Sequence, residues 1–290
     1  MTSYRKAAQF LPPGIREGAL SLEASKMRAA EEFRLRCGFA PTVLAGGREV
    51  PIGTAPVSGE DLFLLLQIAT GASAHTALNN LRSGFLPLDG GHRLGLAGSA
   101  VMKDGAISSF RSISSAALRI CREIRGIAEP YMAALRKGGT LIVSPPGGGK
   151  TTFLRDLCRC ISDSGMRVSI VDERSEIAAM SGSHPQFDIG RYTDVIEGCP
   201  KADGILCMLR SMNPEFIAVD EITSDEDSRA VLSAANCGVG LIATAHAGGY
   251  EELLKRTAYK KPIESGVFKN CVIISNHAGR REYRVVPLQT

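Results

Sequence analysis

The sequence predicts an α/β protein with a mostly parallel sheet, preceded by a smaller α+β domain. From residue 140 onward, short apolar runs alternate with amphipathic segments of helical spacing, which is the rhythm of parallel α/β sheets. Polar or acidic residues end nearly every run, at the sheet edge where such folds bind ligands. The preceding part lacks this alternation. We therefore expect an amino-terminal α+β domain over 1–126, a linker over 127–138 and an α/β domain over 139–290.

The composition is that of a soluble globular protein. The 290 residues are 44% apolar and 22% charged, and no apolar run approaches the ~18 residues that a membrane-spanning helix needs. We expect no direct membrane insertion and, since no export segment is visible, a cytoplasmic protein. A net charge of +4, dispersed basic residues and 6% aromatic residues offer no stacking platform, so no nucleic acid is expected as a partner. The eight cysteines contain no C-x-x-C pair and predict neither a zinc site nor disulfides.

The amino-terminal part is expected to begin with a hairpin and a capped helix. These elements are strands over 33–36 and 42–45, a turn at Gly46-Gly47, and a helix over 60–69 with Ser58 and Asp61 as its capping box. The elements expected next are a helix over 74–81, a glycine-rich meander of strands over 85–113, and a helix that Ser115 caps and that reaches about residue 125.

The carboxy-terminal part is expected to contain six strands, of which the last two pair across a turn. They are predicted over 140–144, 168–171, 216–219, 241–244, 272–275 and 283–286.

A glycine-rich segment between the first of these strands and an amphipathic helix is typical of a nucleotide phosphate loop. Its backbone N–H groups would face phosphate oxygens, Lys150 would reach the β- and γ-phosphates of ATP, and the Thr151 hydroxyl would ligate Mg²⁺. The usual pattern G-x-x-x-x-G-K-[ST] has glycine where this chain has Ser144, and serine disfavours a positive φ. The alternative is a chance glycine-rich turn. The predicted nucleotide-binding residues are Pro146, Gly147, Gly148, Gly149, Lys150, Thr151 and Thr152.

Two acids follow the strand predicted over 216–219, which we expect beside the phosphate loop. Asp220 would complete the Mg²⁺ shell with Thr151, and Glu221 would polarise the attacking water, the two tasks of phosphoryl transfer to water. The alternative is a buried strand that ends in a solvated acidic turn. The phosphate loop upstream favours the functional interpretation.

A second acidic cluster, from Asp172 to Glu176, follows the strand predicted over 168–171. Glu173 and Glu176 could reach the nucleotide as catalytic acids or bases. The cluster could equally be the acidic first turn of a helix, which the helix dipole favours. Both interpretations stay open.

A hydroxyl and an imidazole end the strand predicted over 241–244. Thr244 and His246 would lie beside the nucleotide, where His246 would sense the γ-phosphate; the alternative is a structural histidine.

Arg210, at the end of a predicted helix, could be a solvated or capping residue. It could instead cross a subunit interface and stabilise transition-state charge as an arginine finger. Arg119, Arg174 and Arg191 are weaker candidates, each expected as a surface ion-pair partner.

Taken in order, the phosphate loop, the acidic cluster, the second acidic strand end and the histidine strand resemble the secretion ATPases of type II and type IV systems. Leu209-Arg210 before Asn213-Pro214 looks like their segment that enters the second acidic strand. The chain resembles the stage III sporulation AA family more closely, over nearly its whole length. The segments that carry this resemblance are LPPGIR (11–16), FRLR (33–36), GF (84–85), GGHRLG (90–95), RSIS (111–114), SPPG (144–147) and VDERSE (171–176).

The resemblance implies a P-loop NTPase of the RecA-like, additional-strand class. It implies a cytosolic ATPase of the mother cell in endospore-forming bacteria, which energises a channel complex to the forespore. It further implies a homo-oligomer, a ring hexamer, associated peripherally with the cytosolic face of that membrane complex. Each nucleotide would lie between two domains, neighbours would contribute arginines, and the amino-terminal domain would be the docking and oligomerisation surface. Ser144 is then the family's own residue.

Two departures from the secretion ATPases limit what the resemblance implies. The commoner form has glycine at the position of Asp220, so the catalytic base stays open between Glu221 and the pair Glu173 and Glu176. The tetracysteine metal element of the type II relatives is absent from this sequence.

Three functions follow as hypotheses: a Mg²⁺-dependent ATPase motor, a nucleic-acid-dependent ATPase, and a nucleotide-gated scaffold with little hydrolysis. Dispersed basic residues disfavour the second. A water-activating acid at Glu221 disfavours the third.

Overall fold

The computed structural model describes residues 2–71, 85–103, 106–254, 256–277 and 280–288. The chain divides into two compact units, Met1–Glu123 and Ile124–Thr290. The helix predicted over 74–81 lies outside the described residues. None of the helices within the described ranges is long and apolar enough to cross a membrane.

Within its described residues, the first unit contains four α-helices and six strands. They are α1 (Ser3–Ala8), α2 (Pro13–Leu20), α3 (Ala24–Ala29), β1 (Ala30–Arg36), β2 (Thr42–Ala45), β3 (Arg48–Pro51), α4 (Gly59–Ala69), β4 (Leu86–Leu88), β5 (His92–Lys103) and β6 (Ala106–Arg119). The strands form one antiparallel sheet in the order β3-β2-β1-β6-β5-β4.

One hydrophobic core holds the first unit together. Phe33 and Leu35 of β1 lie in it with Leu94 of β5 and Leu118 of β6, all fully buried. The predicted hairpin is confirmed, because β2 and β3 pair across Gly46-Gly47, both at positive φ. The predicted capping box of α4 is also confirmed: the Ser58 side chain accepts from the backbone N–H of Asp61, and that carboxylate accepts in return from the backbone N–H of Ser58.

The helix predicted from Ser115 to about residue 125 is wrong, because residues 115–119 belong to β6 and residues 120–125 form neither helix nor strand. Ala116, Leu118 and Ile120 are buried while the residues between them are not, which is the period of two of a strand. β6 pairs with β1 on one side and with β5 on the other. The partner strands β5 and β1, about 20 and 80 residues away, therefore decide the structure of residues whose local sequence favours a helix.

In the part of the second unit that the structure describes, there are six α-helices and nine strands. They are α5 (Met132–Leu135), β7 (Gly139–Ser144), α6 (Lys150–Asp163), β8 (Val168–Asp172), β9 (Met180–Ser181), β10 (His184–Pro185), β11 (Thr193–Glu197), α7 (Lys201–Ser211), β12 (Phe216–Glu221), α8 (Asp225–Asn236), β13 (Gly240–His246), α9 (Tyr250–Leu253), α10 (Thr257–Glu264), β14 (Phe268–His277) and β15 (Arg280–Pro287).

Seven of these strands form the main sheet, in the order β11-β8-β12-β13-β7-β14-β15. All pairings are parallel except that of β14 with β15, so the mostly parallel α/β class and the six predicted strands are confirmed. β11 was not predicted, because its residues are half-buried and polar at an edge rather than an apolar run. β12 is not the neighbour of β7 that the sequence led us to expect, because β13 lies between them as an additional strand.

Each face of this sheet carries its own core. Alternating residues such as Ile142 and Ile170 pack with Phe153 and Leu157 of α6 on one face. The residues that alternate with them, such as Leu141 and Val171, pack with the helices α7, α8 and α10 on the other face. Because both faces are covered, the functional groups gather at the carboxyl ends of the strands.

His92, at the start of β5, is a buried polar group of the first unit. Its side chain is 1% exposed, and its Nδ1 accepts the backbone N–H of Cys121 at 3.0 Å, which leaves the proton of the neutral ring on Nε2. Burial, together with the charge of Lys6, lowers the pKa of His92 to about 4. The neutral form is therefore the one that the folded state accommodates.

We predict that the protein loses stability as the pH falls below the unfolded-state pKa of histidine, because the unfolded chain then binds a proton that folded His92 resists. With a folded pKa of about 4, the free energy of unfolding should fall by about 2 kcal/mol between pH 7.5 and pH 5. Urea unfolding at both values measures this. His92→Gln should flatten the dependence, whereas a matched His184→Gln change at an exposed site should not; equal slopes in both variants would contradict the assignment.

Candidate functional site

A polar cleft of about 360 Å³ lies in the second unit, at the carboxyl ends of β7, β8, β12 and β13. Its walls carry a glycine loop, several carboxylates and four cationic side chains. The lining residues are Gly147, Gly149, Lys150, Thr151, Thr152, Glu173, Arg174, Glu176, Lys201, Asp220, Glu221, Thr223, His246 and Arg281.

The loop between β7 and α6 requires its glycines for physical reasons. Gly147 and Gly149 have φ values of 72° and 98°, which other residues adopt at a cost. A Cβ on Gly148 would lie 1.6 Å from Ser144 Oγ. Ser144 is the last residue of β7 and has no positive φ, so its replacement of the usual glycine causes no backbone strain. The loop leads directly into the amino terminus of α6, where unpaired N–H groups attract anions.

Lys150, the first residue of α6, folds back under the loop and is only 6% exposed. Its Nζ donates to the carbonyl oxygens of Ser144 at 3.0 Å and Pro145 at 3.1 Å, and it lies 2.8 Å from His246 Nδ1. Burial lowers the pKa of Lys150, against the opposing influence of the nearby carboxylates. The ammonium is thus held at the floor of the cleft, where it can face a phosphate.

His246 links Lys150 to Glu221. Because the Lys150 ammonium donates to Nδ1, a neutral imidazole carries its proton on Nε2, which lies 3.7 Å from Glu221 Oε2. The backbone N–H of His246 also points at Glu221 Oε1, at 3.4 Å. Arg256 approaches the same carboxylate at 3.5 Å and pairs with Glu252 at 3.0 Å. Glu221 therefore lies between a histidine and an arginine, in long contacts that leave its oxygens accessible.

The position of the Asp220 carboxylate is fixed by β13, the strand between β7 and β12. Thr244 Oγ1 donates to Asp220 Oδ1 at 2.8 Å, across a pairing of β12 with β13 that is irregular at Asp220. The Thr244 carbonyl accepts from the hydroxyl of Tyr259, which in turn accepts the backbone N–H of Ile222. Burial of this hydroxyl raises the pKa of Tyr259 well above its ordinary value. A neutral tyrosine thus ties the ends of the two strands together.

The acidic loop after β8 is held by hydrogen bonds to both its backbone N–H groups and its carbonyl oxygens. Asp172 is buried, and its carboxylate accepts the backbone N–H groups of Glu176, Ile177 and Ala178 at 2.8 to 2.9 Å. Burial raises the pKa of Asp172, although these N–H groups oppose the shift. Arg155 of α6 donates to the carbonyl oxygens of Glu176 and Ile177. Asp172 is therefore a structural acid, and the loop presents its other acids from a fixed backbone.

The same loop is tied to the segment between β11 and α7. Lys201 Nζ, 5% exposed, lies 3.0 Å from Glu173 Oε2. The Ser175 hydroxyl donates to Glu197 Oε2 at 2.8 Å. One contact thus joins the acidic loop to the first residue of α7, and the other joins it to the last residue of β11.

The cleft brings together most of the residues that the sequence predicted for the site. Those on its wall are Gly147, Gly149, Lys150, Thr151, Thr152, Glu173, Glu176, Asp220, Glu221 and His246. Within the described part of the chain, Pro146 and Gly148 belong to the loop but not to the cleft wall. The predicted metal ligands Thr151 and Asp220 both face the cleft. A hydroxyl and carboxylates are the oxygen donors that Mg²⁺ prefers, so these residues fit a magnesium-bound nucleotide phosphate.

Arg210 lies outside the cleft. It is exposed at the end of α7, nine residues after Lys201, and a helix of that length separates them by roughly 14 Å. Arg210 therefore cannot act on the cleft of its own chain without a large movement. Arg174 lines the cleft, Arg191 is exposed, and Arg119 lies in the first unit.

Three cationic residues of the site were not predicted from sequence. Lys201 carried one weak signal, a lysine directly at the start of a helix, where the helix dipole favours acids instead. Arg256 and Arg281 carried none. Arg281 lies against Gly149, whose Cβ position would be 3.1 Å from Arg281 Nε, because β15 brings it beside the phosphate loop.

Solved structures with a similar fold include an ATPase and a pilus retraction motor. The Legionella pneumophila ATPase DotB matches with a TM-score of 0.60 at 20% identity, over 88% of this chain and 76% of that one. The pilus retraction motor PilT, solved with bound ADP, matches with a TM-score of 0.59 at 16% identity, over 93% of this chain and 84% of that one. At these identities the similarity shows a shared P-loop ATPase fold, which confirms the predicted fold class.

The sequence relationship is more specific. Stage III sporulation protein AA of Bacillus subtilis (strain 168) is 36% identical over 281 residues, which cover 94% of this chain and 91% of that protein. The family described as "Sporulation stage III, protein AA" matches residues 3–286. The family resemblance predicted from the sequence is therefore confirmed, and this chain belongs to the sporulation stage III protein AA family.

Proposed function

We propose that the protein is a Mg²⁺-dependent ATPase of the secretion-motor type, which energises assembly or transport by a mother cell–forespore channel complex. The observation that carries the proposal is the meeting of Lys150, Thr151, Asp220 and Glu221 on one cleft wall. A cation, a hydroxyl and two carboxylates in one polar cleft are the groups that phosphoryl transfer from a magnesium-bound nucleotide to water requires.

In this mechanism, the loop and the amino terminus of α6 bind the phosphates through backbone N–H groups. Lys150 exchanges its contacts with Ser144 and Pro145 for the β- and γ-phosphates. Thr151 and Asp220 would hold Mg²⁺, which would supply neutralisation of the charge that develops on the phosphates. These residues orient the reactive phosphate, and positioning with electrostatic stabilisation supplies most of the catalysis in this reaction class.

We assign Glu221 as the base that orients the attacking water. Its side chain is 25% exposed, and its contacts with the described residues are long: 3.4 Å to the backbone N–H of His246, 3.7 Å to the His246 ring and 3.5 Å to Arg256. It can therefore accept a hydrogen bond from water without losing a strong internal partner. His246, which touches both Lys150 and Glu221, is placed to respond when a phosphate draws Lys150 away, as the sensing role requires.

The cellular role and the assembly extend the proposal beyond the cleft. Membership of the family supports a role in endospore formation, in the cytoplasm of the mother cell at the face of a membrane complex. The shared fold with secretion ATPases supports a homo-oligomeric ring, proposed as a hexamer. The exposed position of Arg210 supports action on the cleft of a neighbouring subunit. The first unit is proposed as the docking and oligomerisation domain.

We predict that Lys150→Ala abolishes productive ATP binding, because the buried ammonium is the main cation at the phosphate position. Glu221→Gln should keep nucleotide binding and lower turnover by about two orders of magnitude or more, because the amide cannot take a proton. Steady-state phosphate release and nucleotide titration over a range of protein concentrations measure both. Lys137→Ala and Glu226→Gln, at exposed positions outside the cleft, serve as matched controls. Undetectable turnover in wild type and Glu221→Gln alike would favour the nucleotide-gated scaffold.

We predict that Arg210→Ala loses hydrolysis but retains nucleotide binding, because Arg210 lies too far along α7 to reach its own cleft. The test mixes this variant with Lys150→Ala, which keeps Arg210 but cannot bind ATP productively. Mixed rings contain some interfaces with an intact cleft and an intact arginine, so turnover should reappear. Absence of any rescue, with normal mixed assembly by native mass spectrometry, would remove Arg210 from the interface.

A further inference from the structure

Lys201 is a buried cation in an unfavourable place. It is 5% exposed and is the first residue of α7, directly after Pro200. A helix amino terminus carries partial positive charge, and burial removes water from the ammonium, so both effects disfavour a cation there. A lysine is retained at such a position when a specific negative partner compensates it.

Glu173 is that partner, at 3.0 Å from the Lys201 ammonium. The backbone that carries this carboxylate is held in place, because Asp172 and Arg155 bond the loop on either side of Glu173. The Ser175 hydroxyl donates to Glu197, the last residue of β11, and so ties the acidic loop to the strand that precedes α7. The ion pair is therefore part of a clasp, which we define as Glu173, Ser175, Glu197 and Lys201.

The contrast with Glu221 separates the roles of the two acids. Glu173 is in close contact with a dedicated cation, the Lys201 ammonium, at 3.0 Å. Glu221 makes longer contacts and lies against the residues that surround Lys150. A base must be free to bind water, and a counter-ion must stay with its partner.

We infer that Lys201 is a positioning residue for the reaction: through its ion pair with Glu173 it fixes the acidic loop at the cleft wall and reserves Glu173 as a counter-ion rather than a base. The inference rests on the proposed ATP hydrolysis. It narrows the alternatives that the sequence leaves open, since it removes Glu173 from the candidate bases and leaves Glu221, which we assign, and Glu176.

A double-mutant cycle tests the inference in the full-length protein, with Lys201→Met, Glu173→Gln and the double variant. Each single change leaves one charge without its partner, so each should lower kcat roughly tenfold, with a smaller change in KM, and lower the melting temperature. The double variant should regain most of both losses, because neither charge remains unpaired. Arg229→Met and Glu226→Gln, the exposed ion pair of α8, give a matched control cycle in which losses should be small and additive.

The outcomes separate the competing roles. If Glu173 is the base, the double variant stays as inactive as Glu173→Gln, which overturns the inference. If Lys201 is only structural, Lys201→Met lowers the melting temperature but keeps full kcat below it, which also overturns it. If wild type itself does not hydrolyse ATP, the proposed function fails separately. In that case, melting temperature and ADP affinity of the same variants test the pairing of Lys201 with Glu173. Additive losses of melting temperature and ADP affinity in the double variant would reject this pairing.

Discussion

The register of β13 between its two neighbours is the constraint on which the site depends. β13 pairs in parallel with β7, which ends at the phosphate loop, and with β12, which ends at the two acids. Thr244 therefore bonds Asp220 while His246, two residues later, touches Lys150 and Glu221. Because side chains alternate along a strand, a slip of one residue would turn both groups to the wrong face of the sheet. The contacts that join the cation to the acids all cross this one strand.

The cleft also shows how buried charges are made tolerable. Lys150 is surrounded by carbonyl oxygens and an imidazole nitrogen, Asp172 by three backbone N–H groups, and Lys201 by a carboxylate. Each charge has a partner whose removal would leave it buried and uncompensated, which costs more than the intact pair contributes. The partners differ in one respect. Those of Asp172 belong to the folded backbone, whereas those of Lys150 can be exchanged for phosphate oxygens. Nucleotide binding can therefore change the partners of Lys150 while the acidic loop around Asp172 stays fixed.

The difference between the fixed partners of Asp172 and the exchangeable partners of Lys150 bears on the proposed motor function. A rigid acidic loop, clasped to α7, lies at one end of a helix whose other end carries the exposed Arg210. The helix places a cleft residue and a surface residue in one rigid element, a geometry through which the state of a cleft and contacts with a neighbouring subunit can influence each other. The chain shares its fold with DotB and PilT, and in the ATPase that we propose this helix would connect the cleft with a neighbouring subunit.

The sequence by itself determined the local and the periodic features. The phosphate loop follows from the conformational freedom of its glycines, and the capping box at Ser58 follows from hydrogen bonds between near neighbours. The strands that lead to Asp220 and His246 follow from their apolar residues. All three depend on residues that are adjacent in the chain. Tertiary structure decided the rest. Residues 115–119 became strand because β1 and β5 pair with them, and β11 became an edge strand without an apolar run. Lys201 and Arg281 reached the cleft, Arg256 reached Glu221, and Arg210 was left outside, because strand order and helix direction bring distant residues together. Strand pairing and long-range ion pairs join groups far apart in the chain, so their partners cannot be identified from the residues on either side.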